Sequence, residues 1–111
     1  MNILEQTISD MDHRVAAGTG TQVKLEFDGV EIPVHSTIVG LEHDKYIILK
    51  SPEPFQPIEH KIYPGSELIL RSLTDGTVYA FQTRIIETID SRVMLVFVEY
   101  PRIIQHHDLR D

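Results

Sequence analysis

The stretch that most restricts the fold of this chain is residues 77–101, TVYAFQTRIIETIDSRVMLVFVEYP. It is dense in β-branched and aromatic residues, has no Gly or Pro between Gly76 and Pro101, and breaks only at the polar pair Asp90-Ser91. That composition predicts two long strands joined by a short turn. Both strands are apolar on both faces. Tyr79, Phe81, Ile85 and Ile89 oppose Val78, Ala80 and Ile86, while Val93, Leu95 and Phe97 oppose Met94, Val96, Val98 and Tyr100. A sheet with one solvated face alternates more cleanly, so the pair is expected at the centre of a closed or two-layer barrel, its second face covered. Pro101 cannot donate to a ladder and ends the second strand. The polar residues 102–111 read as an exit linker leaving the domain.

The rest of the chain supplies partners for that pair. Residues 22–27 alternate strictly, with Val23, Leu25 and Phe27 inward and Gln22, Lys24 and Glu26 outward, which predicts a half-buried strand. Asp28-Gly29 is a two-residue hairpin signal for a type I′ turn. The return strand is expected over about residues 30–40, with Val30, Ile32, Val34 and Ile38 in phase and Pro33 marking an edge or a bulge. A turn at residues 42–44 leads into the strand KYIILK. Pro52, Pro54, Pro57 and Pro64 then make residues 51–65 a long loop of the kind that crosses a barrel or carries function. Residues 66–74 restart the sheet, and Asp75-Gly76 turns it into the central pair. The count is six strands.

Ahead of them, Leu4, Ile8, Met11 and Val15 in residues 2–17 have the spacing of one helical stripe. Asn2 with Glu5 resembles a capping box, and Gly18 and Gly20 give the stop. The expected organisation is a helix over residues 1–18, a barrel over 19–101 and a linker over 102–111. The stripe packs on the barrel, or it is a docking or homo-oligomerisation face.

At 111 residues the chain is one domain, able to bury roughly 60–70% of its unfolded surface and to fold without staples. Cysteine is absent, which fits a reducing compartment. No leader-like start and no stretch of about 18 apolar residues occurs, so a cytoplasmic protein without membrane insertion is expected. A net charge of −7 argues against nucleic-acid binding, which needs a basic face. Arg71, Arg84 and Arg92 fall on neighbouring expected strands and read as solvated surface.

Chemistry finds little footing. His35 and Ser36 are adjacent in one strand, point to opposite faces and cannot bond to each other; no catalytic group is assigned. His106-His107-Asp108, with His60 or His13, looks like a metal clip but lacks a converging spacing and reads as a solvated tail. No metal site is assigned. Gly18-Thr19-Gly20 has no strand before it, unlike a phosphate-binding fingerprint, and reads as a flexible joint.

The runs STIVGLEHDKYIILKSPEP, YPGSELILRSLTDGTVYAFQTRI and VFVEYPRIIQHHDLRD resemble the N-terminal domain of the YcgR-like flagellar brake proteins, bacterial effectors of cyclic di-GMP. The shared features are a strand ending in Gly at residues 36–40, an acidic turn and apolar strand over 44–52, the Gly-led strand at Gly65, the aromatic and Thr of 81–83, and Tyr100-Pro101. The resemblance implies a mainly β fold, a six-stranded antiparallel split β-barrel that precedes a PilZ domain, with one N-terminal α-helix added by the spacing described above. It also implies a non-enzymatic regulatory and protein-contact role in flagellar motility, with a PilZ domain or flagellar motor proteins as partners. In that family an Arg-x-x-x-Arg segment holds the dinucleotide, since guanidinium groups pair with phosphates and stack on guanine. Arg110 stands at the first arginine; the second would lie four residues later, beyond Asp111, and no Asp/Asn-x-Ser-x-x-Gly occurs. The implication is that this chain alone does not bind cyclic di-GMP tightly and carries no cofactor of its own. The alternative is a flavin-binding split barrel, with Arg71, Arg84 and Ser72 gathered around a phosphate.

Overall fold

The structure, a computed structural model, describes residues 4–7 and 18–109. These residues form eight strands, β1 (Leu4–Thr7), β2 (Gln22–Glu26), β3 (Val34–Glu42), β4 (Tyr46–Lys50), β5 (Glu67–Thr74), β6 (Thr77–Asp90), β7 (Met94–Glu99) and β8 (Ile103–Asp108), with one 3-10 helix at Gln56–Lys61. Strands β2 to β7 close a six-stranded antiparallel barrel in the order β6-β5-β2-β3-β4-β7, and the β6–β7 ladder shuts the ring.

The long central pair lies where its sequence placed it. The 14-residue β6 is the seam of the barrel: Glu67↔Arg84 through Thr74↔Thr77 join it to β5, and Ile85↔Val98 through Asp90↔Met94 join it to β7. The alternation of β6 puts Phe81, Thr83 and Ile85 inside, then slips at a bulge between Ile85 and Glu87. An extra residue reverses the side-chain phase of everything beyond it. Ile89, expected on the core side, is therefore exposed. The second face of the pair is only partly covered by the described residues: Ala80 is buried, whereas Ile86, Ile89 and Val93 stand exposed on the barrel.

The core is built from Val23, Leu25, Val34, Ile38, Ile47, Leu49, Leu70, Ile85, Val96 and Val98, one inward row per strand. At about 25 cal/mol for each Å² of apolar surface removed from water, such a row dominates the driving force for closure. The proline-rich segment contributes too: its 3-10 helix carries Ile58, which is fully buried in the same cluster, and Glu53 pairs with His35 as an isolated bridge.

Three further expectations need correction. Residues 4–7 are not helical; Leu4–Thr7 is a strand paired antiparallel with β8, Leu4↔His106 to Thr7↔Ile103. A helical spacing of four apolar residues is a weak preference, and pairing with an otherwise open edge overrides it. Among the described residues there is no α-helix. Ile8, Met11 and Val15 of the expected stripe lie outside the described residues.

Second, residues 103–108 do not leave the domain. They form β8, which adds to the barrel through Thr77↔Asp108 to Ala80↔Gln105 and buries Ile104. Strands β7 and β8 thus share β6 as partner and part company at Pro101, whose missing N–H interrupts the ladder. Six strands close the barrel, and two more extend it.

Third, Asp28-Gly29 is not a two-residue hairpin. Only Gly29 has a positive φ, 79°, and the β2–β3 register begins at Leu25↔Val34, so the chain between is longer and Ile32 in it is exposed. The turn expected at Asp75-Gly76 is found, and it is there that the type I′ geometry occurs: φ is 51° and 79° and Thr74 faces Thr77 directly.

Candidate functional site

Among the described residues, two depressions on the outer face of the barrel stand out. The wider, of about 770 Å³, lies where β7 and β8 separate, and is bordered by Arg71, Gln82, Arg84, Glu99, Pro101 and Arg102. Its cations are partly neutralised: Arg84 Nε meets Glu99 Oε1 at 3.2 Å. On its rim Lys45 meets Glu42 at 2.9 Å, and that hydrogen bond raises the lysine pKa above its ordinary value.

The second depression, of about 480 Å³, lies over β2, β3 and β5 and is bordered by Lys24, His35, Lys50, Glu53, Arg71 and Ser72, among others. It is produced by register. Lys24 pairs directly with Arg71 on one side and with His35 on the other, and His35 bridges to Glu53. Residues that face one another across antiparallel strands share a face, so the four form one polar row across the sheet. Arg71 borders both depressions. Its Nε donates to Glu26 Oε2 at 2.7 Å, and the same oxygen lies 4.0 Å from Lys24 Nζ.

The structure separates several residues that sequence reasoning had grouped. Ser36 is buried and donates its hydroxyl to the Lys50 carbonyl at 2.8 Å, while His35 on the opposite face is exposed. Ser72 is buried and Arg71 is half exposed, as neighbours on a strand must diverge, and Arg84 borders the other depression. Arg71, Arg84 and Ser72 do not converge on one point. Arg92 sits in the β6–β7 turn.

His106 and His107 are held in β8. His106 stacks on Tyr79 with ring centroids 6.2 Å apart, and the Nε2 atoms of both histidines are buried without a hydrogen-bond partner among the described residues. Adjacent strand residues face opposite ways, so the two do not meet on one ion. Among the described residues no three His, Asp or Glu side chains gather as a metal site. Arg110 and His13 lie outside the described residues. The sequence marks His35 only beside Ser36 and does not single out Lys50; the outward phase of Lys24 is visible there, but its cross-strand neighbours Arg71 and His35 are not.

A closed antiparallel barrel that presents polar surface rows, with an added two-strand extension, defines this molecule as a mainly β barrel domain. The family model for the flagellar protein YcgR, PilZNR, matches residues 18–101. The chain belongs to that family. No curated protein matches the sequence. The matched span holds β2 to β7, the whole closed ring, and ends at the proline where β7 and β8 separate.

Proposed function

We propose that this chain is a non-enzymatic regulatory and protein-contact domain of a cyclic di-GMP-responsive protein that controls flagellar motility. The observation that carries the reading is the family match across every strand of the closed barrel. The fold supports it in physical terms: the interior is filled with side chains such as Ile38, Ile47, Leu70 and Ile85. Function therefore falls to the outer face.

In this reading the partner is a PilZ domain or a flagellar motor protein, in the bacterial cytoplasm, and tight dinucleotide binding needs arginines beyond those of the barrel. Two measurements test it. Expression of the chain in its source bacterium is expected to change swimming speed; unchanged swimming with the protein present at normal levels overturns the regulatory role. Calorimetry with cyclic di-GMP is expected to show no submicromolar binding to the 111 residues, and such binding overturns the division of labour. Purified protein is expected to be colourless, whereas flavin absorbance would favour a cofactor-binding barrel.

A further inference from the structure

The smaller depression has a charge arrangement that folding alone disfavours. Lys24 and Arg71 stand directly opposite one another on β2 and β5, and like charges in that position destabilise a sheet. A single carboxylate oxygen, Glu26 Oε2, serves both cations. It engages Arg71 through Nε, which leaves the two terminal guanidinium nitrogens without a partner among the described residues. Lys50 adds a third cation to the lining, His35 lies beside Lys24, and among the described residues the carboxylates set against these three cations are Glu53 in the wall and Glu26 beside it. The chain as a whole carries −7, so this excess of positive charge is local and set against the global field.

Departures from local pairing rules concentrate where a surface binds something. A fixed guanidinium with free terminal donors, two ammonium groups and the hydroxyl-bearing residues Thr37 and Ser51 around the same hollow match the several acceptor oxygens of a phosphate. A volume of about 480 Å³ is that of a small-molecule site. We propose that the depression over β2, β3 and β5 binds a phosphate-bearing anion, with Arg71 as the principal donor and Lys24 and Lys50 supplying charge. The site is independent of the flagellar reading.

The test is a backbone amide NMR titration of the chain with inorganic pyrophosphate, against potassium chloride of matched ionic strength. Saturable shifts are expected at Lys24, His35, Lys50 and Arg71, absent in chloride. R71Q and K24Q, checked for a dispersed native spectrum, are expected to weaken binding by about tenfold or more, the loss typical of a charge-assisted contact. A parallel arm with guanosine monophosphate separates sources: equal affinity assigns the phosphate alone, and tighter binding assigns a nucleotide. Shifts that merely track ionic strength, or an R71Q protein that binds as well as the parent, overturn the proposal.

Discussion

Thr83 donates its hydroxyl to the main-chain carbonyl of Glu99 at 2.8 Å, across the gap where β7 has left the β6 ladder and β8 has not yet joined it. The β6–β7 ladder ends at Ile85↔Val98, and beyond it the Thr83 hydroxyl supplies the donor that the main chain of β6 does not. Replacing Thr83 with valine keeps the shape and removes the bond. Urea unfolding of T83V is expected to show a loss of about 1–2 kcal/mol, since Thr83 is buried and the carbonyl loses its donor.

Ile85 is the last inward residue of β6 before the bulge, fully buried and paired with Val98. Truncation there opens a cavity at the point where the ring closes. Ile85→Ala is expected to cost about 2–5 kcal/mol in chemical denaturation, while the exposed Ile89 four residues on is expected to tolerate alanine within about 0.5 kcal/mol.

Two glycines separate backbone strain from side-chain crowding. Gly29 has φ of 79° with nothing near its would-be Cβ, whereas Gly40 has no such φ and a Cβ there would meet Ile48 Cδ1 at 3.4 Å. Gly29→Ala is expected to lower stability by about 1–2 kcal/mol through its left-handed backbone. Gly40→Ala is expected to be near neutral, since the contact is of ordinary length and an alanine is better placed in a strand than a glycine. Thermal unfolding of the pair checks the contrast.

Lys45 holds its proton above the 10.5 of an ordinary lysine because it donates to the Glu42 carboxylate, with Coulomb attraction adding to the bond. A raised folded-state value means that the stabilisation is fully present below the unfolded pKa and is lost as pH rises through the folded one. The side chain is fully solvated, so the effect on stability is small and the titration is the better readout. The NMR midpoint of Lys45 is expected above 10.5, and to fall back towards it in E42Q.

Legibility divided along physical lines. The alternation in Gln22–Glu26 placed Val23 and Leu25 in the core and Lys24 outside, as found. The long pair fixed the seam of the barrel. Both signals are local, carried by a period of two along one strand. The β8 strand was missed because Ile103–Asp108 holds two charged-type histidines and an Asp, with Ile104 its one deeply buried apolar residue. Leu4–Thr7 was misread because four residues carry too little pattern to outweigh a helical spacing that ran beyond them.

The amino-acid sequence by itself determined that the chain is mainly β, where most strands lie and which side chains of β2 face inward, because steric preference and burial act residue by residue. Only the tertiary structure decided which strands are neighbours. Register is set by contacts between distant segments, and it is register that puts Lys24 between Arg71 and His35, that slips at Ile85, and that gives β6 two successive partners on one edge. A row of charges across three strands is a property of pairing, and no single strand contains it.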